Sequence, residues 1–340
     1  MIDKVSKVVL FWQSFFAFIV FVLAYWGVTY TSDWDGYIYF FNHSEISRDP
    51  MFAFLSEFFK NKGYTFTDLY KFHIILISFF YIYIFKSTRV NPLLLIFISI
   101  VFNYVAIGNQ IRFYLAFPLV LLAFFKLVTK KYVLTVLLLI IAILEHKSVI
   151  VLFVVLVVFK FLVYRCSFKK QMLLILLANI IIFFLLNFSS SFDEKYDNYQ
   201  NTGNISSLAG GIFNVVPYLF PIYSCWRISK ILKRKAPELR DKPIYEFLYT
   251  CSIAPMVFLI SGLYVQVLTN RFIIAFLPIW FAFFIYVHRF PLQKRTKKTI
   301  SIMAWTSIMI IIFWMFCLMP QLGFVDYFIE TYLMLSSYCI

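Results

Sequence analysis

Residues 93–128 read LLLIFISIVFNYVAIGNQIRFYLAFPLVLLAFFKLV, and this stretch decides the class of the fold. It is long enough to cross a bilayer twice, because one helical crossing needs about 20 apolar residues. The sole charged residue between 93 and 125 is Arg112, near the start of the second predicted span. A charge at the bilayer centre costs about 2.5–3.5 kcal/mol, and less near an interface. We therefore expect Arg112 to hold something anionic.

The composition extends this assignment to the whole chain. Of its 340 residues, 62% are hydrophobic and only 14% are charged. Such a chain is typical of a polytopic all-α transmembrane bundle, because helices satisfy their own backbone hydrogen bonds inside lipid. The first apolar stretch, 8–30, is too long for the core of a signal peptide and is expected to remain as a helix. We expect one integral membrane domain over 1–340.

The hydrophobic pattern predicts eleven transmembrane helices. The remaining tail, 321–340, contains Asp326 and Glu330, so it is either a twelfth span or a helix on the membrane surface. The predicted spans are 8–30, 67–86, 91–107, 110–128, 132–146, 148–165, 171–189, 211–229, 245–267, 271–289 and 299–318.

Basic residues near the span ends predict the orientation. With a cytoplasmic N-terminus, most of the 31 Lys and Arg, and every basic cluster, fall on the cytoplasmic side. The long polar loops, 31–65 and 189–210, then lie outside with most of the 16 acidic residues. This asymmetry explains the net charge of +15 better than a nucleic-acid partner does. We expect function on the outer face.

The first outer loop carries two carboxylates, Asp33 and Asp35, which would share one face of an extended segment. A carboxylate just outside the membrane can act as a general base, a metal ligand or an acceptor for sugar hydroxyls. The alternative is a solvated turn. Later in the loop, Arg48 could pair with either aspartate or with Glu45.

Residues 50–60 predict a short amphipathic helix at the outer interface. Pro50 suits the first position of a helix. An apolar stripe at helical spacing follows, and we expect it to face lipid rather than a ligand. The stripe consists of Phe52, Leu55, Phe58 and Phe59.

Two predicted spans meet the outer interface with polar pairs. Asn109 and Arg112 are three residues apart and face the same way at the start of one. Arginine offers a planar fork of donors that suits phosphate or carboxylate, and the alternative is that it reaches to the lipid headgroups. Glu145 and His146 end another span; His146 is either an acid, base or phosphate donor or an interfacial cap.

A third span repeats this pattern, with Asn270 followed by Arg271 at its outer end. Arg112, His146 and Arg271 are therefore predicted at one depth and on one face, although they come from separate spans. Two arginines and a histidine at one level are typical of a site for a diphosphate or another polyanion.

Other kinds of site are not indicated. The four His and five Cys show no metal-ligand or redox spacing. The sequence contains no Gly-rich phosphate loop and no nucleic-acid-binding module. An enzyme of this kind would have to use an energised lipid-linked donor.

The order of these motifs resembles the EpsG-like family of Wzy-type polysaccharide polymerases. The resemblance covers most of the chain, although each motif is short. The residues that carry it are Asp33, Asp35, Tyr37, Asn109, Ile111, Arg112, Leu115, Ala116, His146, Ser148 and Arg271. Two positions depart from the pattern: Phe113 stands where glutamine is expected, and Glu145 where an aromatic residue is expected.

The resemblance implies a membrane glycosyltransferase of the bacterial inner membrane, with its active face in the periplasm. Its substrates would be oligosaccharide repeat units on undecaprenyl diphosphate, which it polymerises into lipopolysaccharide O-antigen, capsule or exopolysaccharide. A flippase and a chain-length regulator would be its partners. No cofactor is implied, and no metal is needed if arginines stabilise the leaving group, although two aspartates leave room for a divalent ion.

Roles follow from the same resemblance and from the polar groups at the outer face. The catalytic candidates are Asp33, Asp35 and His146. The diphosphate-binding candidates are Arg112, Arg271, Asn109 and Asn270. The candidates for substrate contact are Tyr37, Arg48 and Glu145.

Two other functions fit a chain of this size. A membrane acyltransferase that modifies surface glycans would be expected to carry a paired Arg and His in its first spans, and the first span here has neither. A lipid-linked glycan flippase or another transporter should carry charges along a path across the membrane. The predicted spans are almost uncharged at mid-depth, which favours chemistry at one face.

Overall fold

The structure, a computed structural model, describes residues 7–31, 33–46, 49–164, 166–188, 208–239 and 241–314. Over these residues the regular elements are helical, which confirms the all-α class. The contacts divide the chain into two compact units, and each is described by itself. Among the described residues, unit 1 extends to Phe153 and unit 2 contains Val154–Trp314.

Unit 1 begins with a long helix and a pair of short ones, followed by four longer helices. The elements are α1 Lys7–Trp26, α2 Trp34–Asn42, a 3₁₀ turn Ser44–Ile46, α3 Pro50–Asn61, α4 Phe66–Ser87, α5 Pro92–Asn109, α6 Ile111–Val128 and α7 Tyr132–Glu145. Helix α8, Val149–Val158, begins in unit 1 and continues in unit 2 as a π-helical turn, Phe159–Val163.

Unit 2 contains three long helices and a series of shorter, broken ones. The elements are α9 Phe168–Phe188, α10 Leu208–Lys235, a 3₁₀ turn Pro237–Leu239, α11 Pro243–Ile253, a 3₁₀ segment Ala254–Phe258, α12 Leu259–Tyr264, α13 Gln266–Phe272, a 3₁₀ turn Ile274–Phe276, α14 Leu277–His288 and α15 Lys294–Phe313.

Five of the described helical stretches are long and apolar enough to cross a membrane, and each coincides with a predicted span. They are Val8–Trp26, Phe66–Ser87, Ile111–Val128, Pro243–Leu263 and Lys294–Phe313. Shorter apolar helices accompany them. The chain is therefore a multi-pass membrane protein. The total of eleven spans and their orientation stay predictions, and the tail 321–340 and the loop residues 189–207 lie outside the described residues.

Local sequence signals account for where the helices of unit 1 begin. Asn91 accepts a hydrogen bond from the backbone N–H of Leu93 at 3.0 Å, and Pro92 takes the first position of α5. This arrangement satisfies one of the free N–H groups at the helix start. At α4, the Asp68 carboxylate accepts hydrogen bonds from the Thr65 backbone N–H and hydroxyl, both at 2.8 Å.

The core of unit 1 is built around α6. This helix is buried along almost its whole length and packs between α4 and α7. Helix α1 packs on α4 and α5, where the rings of Tyr25 and Tyr104 stack at 4.8 Å and the Tyr104 hydroxyl donates to the Ala24 carbonyl. Outward faces of α1 and α7 expose large apolar side chains, as lipid-facing helices do.

Helices α2 and α3 fold what was expected to be an outer loop, 31–65. Helix α3 packs on α2, α4 and α7, at the end of the unit where α6 begins and α7 ends. This packing brings the residues of α2 and α3 against the start of α6, and it explains why part of their aromatic surface is buried.

Unit 2 differs from the sequence prediction in one respect: spans 245–267 and 271–289 are not continuous helices. Pro255 has no backbone N–H, so the α-helix ends and a 3₁₀ segment follows. The amide of Asn179 donates to the Met256 carbonyl at 2.8 Å and accepts from the Ile260 N–H at 3.0 Å. One side chain thus satisfies backbone groups freed by the break, as a membrane setting requires.

Gly211 marks a close contact between α10 and α12. A Cβ atom at this position would lie 1.7 Å from the Leu263 carbonyl oxygen, a backbone atom that cannot rotate away. We expect Gly211→Ala to lower the free energy of unfolding by about 1–3 kcal/mol, because the added methyl group overpacks the contact. The measurement is the midpoint of thermal unfolding of the purified chain, which should fall. Gly36→Ala is the control, because a Cβ there meets nothing within 4 Å. Equal midpoints for the two variants would contradict this contact.

Candidate functional site

Arg112 lies in the first turn of α6 and forms an ion pair with Asp49, the residue immediately before α3. Its Nη1 is 3.0 Å from Oδ2 of Asp49, just before α3. The second oxygen of Asp49 accepts a hydrogen bond from the backbone N–H of Lys147 at 3.4 Å, at the turn between α7 and α8. One carboxylate therefore links α3, α6 and the α7–α8 turn.

Three aromatic rings surround the same guanidinium. Its Cζ lies 5.2 Å from the ring centroid of Tyr37, 5.4 Å from Phe40 and 5.0 Å from Phe52. Contacts of this length are within range for cation–π attraction. We call Arg112, Asp49 and these three rings the Arg112 cluster.

The Arg112 cluster is shielded but not closed. The Arg112 side chain is 18% exposed and the Asp49 side chain 10%. The Arg112 Nε is buried and has no hydrogen-bond partner among the described residues. Burial raises the pKa of the Asp49 carboxyl; the charge of Arg112 and the Lys147 N–H act in the opposite direction, and Glu145 adds repulsion. Burial therefore makes the ionised form of Asp49 costly, and the ion pair with Arg112 offsets part of that cost.

A second pair lies in the same unit. His73 of α4 and Glu145, the last residue of α7, are in contact, with Nε2 and Oε1 at 3.1 Å. Both side chains are buried, at 0% and 1% exposure. The sequence analysis missed His73 because its partner is 72 residues away; the signal available was a lone histidine within an apolar span. Glu145, predicted to contact substrate, is thus engaged with His73.

His146 is the C-cap of α7 and packs edge-on against Phe113, the neighbour of Arg112, at 5.7 Å between ring centroids. Asn109 is the last residue of α5, next to the start of α6. The structure therefore places His146 and Asn109 at the end of unit 1 that carries the Arg112 cluster.

The two aspartates of the first loop are placed at the start of α2. Asp33 is the N-cap and Asp35 is in the first turn; both are exposed. Asp35 accepts a hydrogen bond from the Tyr30 hydroxyl at 3.5 Å. They do not share a face in the way an extended segment would allow, because residues two apart point in different directions on a helix.

The predicted amphipathic helix at 50–60 is present as α3, but the expectation for its stripe is corrected. Phe52 does not face lipid: it is fully buried and contacts Tyr37, His73 and the Arg112 guanidinium. The exposed aromatic residues of α3 are Phe54 and Phe58. The side of α3 that carries Phe52 faces inward because α3 packs on α4 and α7.

The remaining predicted site residues belong elsewhere. Arg271 is in α13 of unit 2 and is half-buried. The side chain of Asn270 and the whole of Arg48 lie outside the described residues. Over the part of the chain that the structure describes, no group of three His, Cys, Asp or Glu could hold a metal ion.

This end of unit 1 carries three groups that can act chemically. They are the partly exposed guanidinium of Arg112, the imidazole of His146 and the buried His73–Glu145 pair. A guanidinium with donors beyond those used by its carboxylate partner can bind a phosphate oxygen. An imidazole nearby can accept a proton near neutral pH. The arrangement suits acid–base chemistry on a ligand that carries phosphate.

Comparison with known proteins identifies the family of the chain. The model of the EpsG family matches residues 9–329, which is nearly the whole chain. No curated protein and no solved structure matches. The chain therefore belongs to the EpsG family, a family of Wzy-type polysaccharide polymerase-like proteins.

Proposed function

We propose that this protein joins oligosaccharide repeat units, carried on undecaprenyl diphosphate, into a surface polysaccharide such as O-antigen, capsule or exopolysaccharide. Membership of the EpsG family supports a polymerase-like function. The observation that supports a lipid-diphosphate substrate is the setting of Arg112. Asp49 binds one Nη atom of Arg112, and the partly exposed guanidinium keeps donors for phosphate oxygens.

In the proposed reaction, a hydroxyl of one repeat unit attacks the anomeric carbon of the chain held on lipid diphosphate. A new C–O bond to that carbon forms as its bond to the diphosphate oxygen breaks. Undecaprenyl diphosphate leaves with the electron pair, and the hydroxyl proton passes to a base. The diphosphate gains charge as it leaves, so fixed cations lower the barrier.

The predicted site residues other than Glu145, which pairs with His73, have roles in this proposal. Arg112 stabilises the diphosphate, helped by Asn109; for Arg271 and Asn270 the same role stays a prediction from the sequence. His146 accepts the hydroxyl proton, supported by its place on Phe113 next to Arg112. The acceptor sugar is oriented by hydrogen bonds from four further residues, Asp33, Asp35, Tyr37 and Arg48.

The setting of the reaction is also part of the proposal. The multi-pass helical fold supports a membrane location. We place the reaction at the outer leaflet of a bacterial inner membrane, with a cytoplasmic N-terminus, because the basic clusters of the sequence fall on the opposite side. A flippase would deliver the lipid-linked unit, and a chain-length regulator would limit the polymer.

Deleting the gene tests this function through the cell's surface glycans. We expect the polymer ladder on a gel to disappear while single repeat units remain, since delivery of the units does not depend on the polymerase. Full-length chain supplied from a plasmid should restore the ladder. Loss of all surface glycan would point to a flippase, and an intact ladder without acyl groups to an acyltransferase; either result would overturn the proposal.

A further inference from the structure

The His73–Glu145 pair is the strongest feature that the proposed reaction does not use. It joins two helices, α4 and α7, through side chains that are almost completely buried. Buried ionisable groups are costly unless paired. An apolar pair would pack here at less cost, since replacing a buried ion pair by apolar residues is often neutral or stabilising. The pair therefore calls for an explanation beyond stability.

The hydrogen bonds of His73 set how many protons the His73–Glu145 pair holds. Nδ1 is 2.8 Å from the Leu69 carbonyl oxygen, which can only accept, so Nδ1 carries a hydrogen. The contact between Nε2 and the Glu145 carboxyl is attractive only if one further proton lies between them. Whether this proton is on the ring or on the carboxyl, the pair as a whole is neutral, which makes its burial tolerable.

Because of this shared proton, the contact between His73 and Glu145 is, unlike apolar packing, a directional hydrogen bond. It fixes the Glu145 carboxyl relative to α4, and Glu145 is the last residue of α7. Two residues later, the Lys147 N–H is bound to Asp49 of the Arg112 cluster. His146 thus lies between two anchored points, with its ring on Phe113.

We propose that His73 and Glu145 are positioning residues for His146: their shared proton fastens the end of α7 to α4 and holds the His146 imidazole where it receives the proton of the acceptor hydroxyl. This inference rests on the proposed function, in which His146 is the base. A displacement of about 1 Å in such a group can lower the rate about 100-fold.

The test uses purified full-length chain and lipid-linked single repeat units extracted from the deletion strain. In the double variant His73→Leu/Glu145→Leu, two apolar side chains fill the space, so the protein should fold without the directional bond. We expect kcat per folded molecule to fall about 100-fold, with KM for the lipid-linked unit within about twofold of wild type because the Arg112 contact is intact.

A conservative variant separates positioning from direct proton transfer. In Glu145→Gln, the amide N–H can donate to the bare Nε2 of His73, which keeps the link between the helices. We expect this variant to recover most of the kcat lost in the double variant. Glu57→Gln, at an exposed position of α3, is the matched control and should behave as wild type.

Each contrary result has a separate meaning. A double variant that is folded and has the wild-type kcat would show a purely structural pair and overturn the inference. A Glu145→Gln variant as inactive as the double variant would make Glu145 itself the base, and would also overturn it. Wild-type chain that forms no polymer would remove the proposed function, and the inference with it.

Discussion

Cells in which Arg112 is replaced by lysine should lose the polymer ladder while the protein remains in the membrane. Lysine keeps the charge but has a compact ammonium group in place of a planar fork. Its three N–H donors diverge from a single nitrogen, so it cannot span Asp49 and a phosphate oxygen in the planar geometry that the guanidinium provides. Removing one donor to a developing negative charge typically lowers the rate about 10²–10³-fold. We expect a loss of this size in the polymerisation rate of the purified Arg112→Lys variant.

Two companion variants make this result specific. Arg295→Lys changes an exposed arginine at the start of α15 and should leave the ladder intact. Asp49→Asn removes the charge of the Arg112 partner but retains the guanidinium. If Arg112 served only to hold Asp49, Asp49→Asn would be as damaging as Arg112→Lys. We expect it to be clearly less damaging, and equal losses would contradict a direct role for Arg112.

Phe52→Ala should have the largest effect on stability of any change in α3. The Phe52 ring is fully buried and contacts Tyr37, His73 and Arg112. Truncating a buried phenylalanine to alanine costs about 3–5 kcal/mol, because apolar contacts are lost and a cavity remains. We expect α3 to become sensitive to protease and the unfolding midpoint of the purified chain to fall.

The matched control lies on the same helix. Phe54 is 64% exposed, so Phe54→Ala should change the free energy of unfolding by no more than about 0.5 kcal/mol. A Phe54→Ala variant as unstable as Phe52→Ala would show that the aromatic face has been assigned to the wrong side of α3.

The spans of unit 1 could be predicted closely because their signal is local. A membrane helix is a continuous apolar segment, and the predicted span 67–86 lies within the observed helix Phe66–Ser87. At 245–267 the same rule located the span but not the break within it, where Pro255 interrupts the α-helix and Asn179 compensates from another helix. Compensation of this kind comes from tertiary structure, which a hydrophobic pattern does not contain.

The site was harder to predict than the spans. The sequence placed a polar group at Arg112 and another at His146, but it did not supply their partners. Asp49 lies 63 residues from Arg112, and His73 lies 72 residues from Glu145. Neither pairing has a periodic signal, because each depends on how α3 and α4 fold back on α6 and α7.

Reconstitution tests the central claim most directly. Full-length chain in lipid vesicles would receive lipid-linked single repeat units extracted from the deletion strain, and both new linkages and released undecaprenyl diphosphate would be counted. We predict one undecaprenyl diphosphate released for each linkage formed, with both products lost in Arg112→Lys. Wild-type chain that moves the units across the membrane without joining them, or Arg112→Lys that polymerises at the wild-type rate, would contradict the account.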